Sequence, residues 1–225
     1  MSGAGRGGVL LKVFFAVLLL TGFIGGQDQS PERTVSGAAV LSRHDPQARV
    51  ELPRTSQYVG ADRWILYAMD DCELHAFVET DEQKHVRRLY WVQFEAYLPS
   101  RPELKHRYNS PRHATLGGLD FYVDTWLWKE GDKVTPGSDE EHLLALLRSK
   151  GYSMPHSMME VRLVHLMDMK RKELMVIYGE DLAATGYTAE QLQPGGQAHD
   201  RWPAIEGQLL QRAEQKIHIG NAAQP

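Results

Sequence analysis

Across residues 72–99, polar and apolar positions alternate with a period of two on either side of a charged turn. Side chains alternate across a strand, so this pattern predicts a hairpin of two strands. On the first strand Cys72, Leu74, Ala76 and Val78 share one face, while Glu73, His75, Phe77 and Glu79 share the other. On the second strand Tyr90, Val92, Phe94, Ala96 and Leu98 form an apolar row, opposed by Leu89, Trp91, Gln93, Glu95 and Tyr97. The segment 80–87 is nearly all polar and supplies the turn. One face of the hairpin therefore reads as ordinary core. The other is expected to carry His75, Trp91, Gln93, Glu95 and Tyr97, a mixture of rings and polar groups that suits a pocket wall. A half-solvated face of an antiparallel sheet is the simpler alternative.

The same period recurs at 119–128. There Leu119, Phe121, Val123 and Leu127 alternate with Asp120, Tyr122, Asp124, Trp126 and Trp128. Shorter strands are expected at 48–52 and 63–69. Segment 159–169 puts Met159, Val161, Leu163, His165 and Met167 on one side, turns at 169–172 and returns as a strand over 173–178. Ser138 reads as a helix N-cap with Glu141 three residues on, and Gly151 as the stop. The spacing of Ile205, Leu209 and Ala213 predicts an amphipathic helix over 202–216, followed by a last short strand at 217–219. Residues 100–118 form a long loop rich in Arg, Lys, His and Tyr. It reads as a basic lid over the polar sheet face or, more simply, as a solvated excursion.

The fold class that follows is α+β: a curved, mainly antiparallel sheet of about six strands with two packing helices. From residue 119 the βαββα(β) order matches a ferredoxin-like half, and a single antiparallel sheet wrapped around a helix fits the same order. The domain is expected to span 48–220, after a linker at 27–47 and before a tail at 221–225.

Composition adds an address. Arg6 and Lys12 precede the apolar run 13–21 and the small residues Gly22, Gly25 and Gly26, the layout of a secretory signal peptide. The run is short for a membrane span of about 20 apolar residues. Residues 1–26 therefore read as a signal peptide or, uncleaved, as an N-terminal anchor, and the domain as periplasmic or otherwise extracytoplasmic. Any membrane contact would be through that segment. The single cysteine excludes an internal disulfide, so packing must hold the domain, and Cys72 reads as a small buried hydrophobe. Charged residues make up 24% and the net charge is −4 with the basic residues dispersed. That argues against a nucleic-acid partner.

Three constellations carry candidate chemistry. The first is the sheet face of His75, Trp91, Gln93, Glu95, Tyr97, Tyr122, Asp124 and Trp126. It suits a small amphipathic ligand. It also suits an enzyme in which Glu95 or Asp124 works with His75 as acid and base, or a structural surface that meets a partner or a second copy of the chain. The ligand reading leads, and it requires His75 and Trp126 to share one environment. The second is the run Met154, His156, Met158, Met159, His165, Met167 and Met169, whose soft donors suit Cu(I) and whose spacing suits a core more simply. The third, Cys72 with His75 as a nucleophile pair, fails on spacing, because residues three apart on a strand face opposite sides. There is no P-loop, HExxH, GxSxG or CxxC pattern. No cofactor is named by the sequence.

Overall fold

Strands whose two rows of side chains are both apolar need a cover on each face. The computed structural model, which describes residues 30–222, supplies two. In chain order the strands are β1 (Thr34–Ser36), β2 (Ala39–Arg43), β3 (Gln47–Glu51), β4 (Gln57–Leu66), β5 (Asp70–Thr80), β6 (Val86–Tyr97), β7 (Arg112–Leu116) and β8 (Leu119–Lys129). Helix α1 (Asp139–Ser149) follows, then β9 (Ser157–Met167), β10 (Lys172–Asp181), the short α2 (Ala189–Leu192), α3 (Trp202–Lys216) and β11 (His218–Gly220). They build an α+β fold of two antiparallel sheets. One has seven strands in the order β4-β5-β6-β10-β9-β8-β7, and the other four in the order β1-β2-β3-β11.

Each face of the large sheet has its own core. Phe77, Tyr90, Phe94, Phe121 and Val176 pack against the small sheet through Val40 and Val50 and against α3 through Leu209. Leu74, Trp91, Val164 and Ile177 on the opposite face pack under α1 through Leu143 and Leu147. Each fully buried aromatic or aliphatic side chain contributes roughly 1.5–3 kcal/mol, so two cores replace the disulfides the chain lacks. Helix α1 starts where expected: Ser138 Oγ accepts from the Glu141 N–H, and Asp139, Glu140 and Glu141 fill the first turn, where acidic groups suit the helix dipole.

Strands β8 and β9 are antiparallel neighbours, although α1 lies between them in sequence. A ferredoxin-like unit would make them parallel; instead both join the seven-stranded antiparallel sheet, and the expected one sheet of about six strands becomes two sheets with eleven strands among the described residues. The stretch expected as a linker is a second correction, because its residues supply β1 and β2. Glu73 draws it in. Its carboxylate accepts from the N–H groups of Glu32 and Arg33, both at 2.8 Å, and from Arg33 Nη1 at 3.1 Å. The Arg33 guanidinium also lies over the Phe94 ring. Strand β7 was likewise hidden in the loop at 100–118. The expected export segment lies outside the described residues, among which no helix is long and apolar enough to cross a membrane.

Candidate functional site

Glu95 on β6 and Glu173 on β10 are direct cross-strand partners, so their side chains leave the same face of the sheet side by side. Cys72 is opposite Glu95 on the other flank, and Asp70 is opposite Tyr97. All four lie at the end of the sheet where β5 begins and β6 ends, on the face covered by α1. Asp70, Glu95 and Glu173 are buried. Two overlapping groups of ligand-type atoms form here, Asp70–Cys72–Glu95 and Glu95–His106–Glu173, each with its atoms within 4.8 Å of one another.

His106 arrives from the loop that the sequence leaves as a solvated excursion, so that simpler expectation is corrected: this part of the loop is a lid. Arg171 holds it. Its guanidinium donates to the carbonyls of Arg101 at 2.8 Å, Tyr97 at 3.1 Å, Leu98 at 3.2 Å and Leu104 at 3.3 Å. The His106 N–H donates to the Lys170 carbonyl at 2.8 Å. Asp168, Met169 and Lys170 make the preceding turn with φ of 47°, 53° and 71°. That is three consecutive non-glycine residues in the left-handed region, at about 1–2 kcal/mol each. The His106 ring stacks on Tyr97, centroids 4.4 Å apart. Its Nδ1 lies 3.1 Å from Glu173 Oε2 and its Nε2 3.7 Å from Asp70 Oδ2. Tyr108, further along the lid, donates its hydroxyl to both Glu173 oxygens at 2.9 Å.

Hydrogen bonds along β6 also point into the centre. Trp91 Nε1 donates to Gln93 Oε1 at 2.7 Å, and Gln93 Nε2 donates to Glu95 Oε1 at 2.6 Å. Among the described residues, no Lys or Arg ion pair reaches Asp70, Glu95, Asp139 or Glu173; Arg162, the nearest cation by its effect on Glu173, is paired with Asp124. Carboxylates buried without a counter-charge resist ionising. Burial, and then the Asp139 charge, push Asp70 up to about 7. Burial raises Glu173 to about 7 against the Tyr108 hydrogen bond. Glu95 is raised well above its ordinary value by burial and then by facing Glu173, and Asp139 is raised by burial. Burial holds His106 down at about 4. Three polar atoms here are buried without a partner: Asp70 Oδ1, His106 Nε2 and Asp139 Oδ1.

Seven of the eight residues expected on one face do share it. Trp91, Gln93, Glu95 and Tyr97 alternate along β6 on the α1 side, and Tyr122, Asp124 and Trp126 do so along β8, with Tyr122 and Trp126 packed on that core. His75 does not. It is opposite Val92, hence on the other face, where its Nε2 meets Glu73 Oε1 at 2.8 Å and its Nδ1 the Tyr58 hydroxyl at 3.3 Å. Burial alone would raise Glu73. The hydrogen bonds from His75, Glu32 and Arg33 outweigh it and hold the carboxyl down at about 2. His75 and Trp126 thus sit in different environments, so the ligand site expected on one face around His75 does not form, and neither do the His75–Glu95 and His75–Asp124 acid–base pairs. The acidic centre also needs Asp70, His106, Tyr108, Asp139 and Glu173, which the sequence reading left out. The one signal for them was the lid alternative for the loop that bears His106 and Tyr108.

The methionine and histidine run does not converge. Strand β9 is 11 residues long, about 35 Å of extended chain. Met158 and Met159 enter opposite cores, while Met169 is 76% exposed beyond the far end. A cleft of about 440 Å³ lined by Arg87, Met154, His156, Asp181 and Tyr187 opens at the β9 start, the opposite end of the sheet from Glu95 and Glu173. Cys72 is fully buried, and burial with the neighbouring acids drives its thiol far above the usual range.

Compared with known proteins, the chain matches no family model, no curated protein and no solved structure.

Proposed function

We propose that this chain is an exported binding or accessory domain whose ligand sits inside the acidic centre, under α1 and the lid, rather than on an open sheet face. The observation that carries the reading is the group of unpartnered buried atoms, Asp70 Oδ1, His106 Nε2 and Asp139 Oδ1. Each such atom costs about 1–3 kcal/mol when left unpaired, and native folds leave few of them. Three around one set of carboxylates is the pattern of a place kept for a ligand. His75 lies on the other face from Glu95 and Asp124, which removes both the pocket expected around it and its acid–base pairs, so the reading moves to the acidic centre. Export rests on the N-terminal pattern of Arg6, Lys12, the apolar run and small residues.

Native mass spectrometry of the full chain, expressed with its N-terminal segment in a host with a periplasm, tests both parts. The expected result is a chain recovered from the periplasmic fraction that carries an adduct lost on denaturation. A bare chain at the same mass in native and denaturing solvent would remove the binding reading. Recovery in the cytoplasm alone would remove export.

A further inference from the structure

We infer that the ligand of this centre is a divalent first-row transition cation, held by Glu95, Glu173 and His106 with Asp70 alongside. This deepens the binding reading above and rests on it.

The donor set points to a cation first by its geometry. A metal bound at about 2.0–2.2 Å to oxygen and nitrogen holds adjacent donors roughly 3 Å apart. His106 Nδ1 and Glu173 Oε2 already stand at 3.1 Å, and Glu95 completes a triad whose atoms lie within 4.8 Å. The imidazole is placed as a ligand. Whichever ring nitrogen takes the cation, the other faces a carboxylate: Glu173 beside Nδ1, Asp70 beside Nε2. With Glu95 and Glu173 as ligands the cation falls on Nδ1, and Asp70, 3.7 Å from Nε2, is the carboxylate positioned to orient the ring. Tyr108 performs the same service for Glu173 by bonding both of its oxygens.

A second observation is independent of the acidic cluster itself. The His106 and Asp70 side chains are only 6% and 5% exposed, and each keeps a buried polar atom, Nε2 and Oδ1, with no hydrogen-bond partner. The charge balance agrees. Buried carboxylates without a basic partner must take up protons or a cation. The covering by α1 and the lid favours an ion over an organic molecule.

The donors also select the class of ion. Calcium takes six to eight oxygens, more than the three carboxylates and one imidazole gathered here. Copper(I) takes soft sulfur donors, and the methionines lie elsewhere. Oxygen with one imidazole suits zinc, manganese or ferrous iron.

The test uses the full chain, stripped with a chelator, dialysed against Zn²⁺ or Mn²⁺ and measured for bound metal by elemental analysis. The expected result is about one ion per chain, with proton release on binding. The double variant E95Q/E173Q should lose the ion while keeping its melting transition, since amides replace acids of the same shape. Y108F, which keeps the ring and removes only the hydroxyl that bonds Glu173, should bind about 10–100-fold more weakly. Uptake that persists in folded E95Q/E173Q overturns the assignment. No uptake by the wild type, with an organic adduct in the native spectrum, overturns the cation and leaves the binding reading standing. No uptake and no adduct remove both.

Discussion

Glu95 and Glu173 stand directly opposite each other on β6 and β10, on the same face of the sheet and both buried. Like charges in that position destabilise a sheet and burial resists ionising either acid, so the pair is a cost in the fold whether it is charged or has to hold protons. In the metal-free chain, E95Q/E173Q should therefore be more stable than wild type near neutral pH by about 1 kcal/mol. Urea denaturation reads this directly, and a lower midpoint in the variant would show that the glutamates are structural assets.

The metal-free chain should lose stability as pH rises from about 5 to about 8. In the folded chain Asp70 and Glu173 titrate near 7 and Glu160, buried, near 8. Unfolded carboxyls titrate at about 4. Through that window the folded state holds more protons than the unfolded one, so the free energy of unfolding falls as pH rises. His106, held down at about 4, acts in the reverse sense, but only up to about 6.5, and it is one group against three. Glu73, held at about 2, acts only at lower pH. Thermal melts in chelator across this range should show a falling transition, and saturating Zn²⁺ should flatten it. A rising transition would mean these carboxyls are ionised in the folded chain.

Arg171 clamps the loop that carries His106 through backbone carbonyls and lies outside the proposed ligand set. Replacing it with alanine removes hydrogen bonds to four carbonyls between residues 97 and 104, at a cost of about 3 kcal/mol. Limited trypsin digestion should then cut after Lys105 or Arg107 far faster than in wild type. Metal uptake should weaken in the same variant. Unchanged digestion would mean that the Lys170–His106 backbone bond alone holds the lid.

His75 serves as the control for face assignment. H75Q should cost about 1–2 kcal/mol through its bonds to Glu73 and Tyr58, yet leave cation uptake unchanged. A measured loss of uptake in this variant, once folding is verified, would place His75 in the site after all.

Cys72 should resist alkylation in the folded chain and react on denaturation. It is fully buried, and its thiol is pushed far up by burial and the acids beside it, whereas reactive cysteines are exposed and ionised. Intact-mass analysis after iodoacetamide treatment reads the difference; labelling within minutes under native conditions contradicts it.

Parity within a strand is a local property, so it was legible in the sequence. The row Trp91–Gln93–Glu95–Tyr97 and the row Tyr122–Asp124–Trp126 follow from the period of two, and both rows lie on the sheet face that α1 packs against. Capping at Ser138, the β9 apolar row and the span of α3 are equally local. His75 was assigned to the wrong face because parity on β5 says nothing about parity on β6. A register set by Cys72 opposite Glu95 sends His75 to the other core, and a shift of one residue would have reversed that. The order of the residues before β3 was also illegible, since it depends on Glu73 collecting backbone donors from some 40 positions away.

By itself the sequence determined the long strands β5, β6, β8, β9 and β10, the two main helices, the buried single cysteine and the polar character of one sheet face, because each is written in spacing along a few consecutive residues. Only the tertiary structure decided that Asp70, Glu95, His106 and Glu173 meet. Three strands had to pair in one register and a loop clamped by Arg171 had to close over them, and those long-range contacts have no period in the chain.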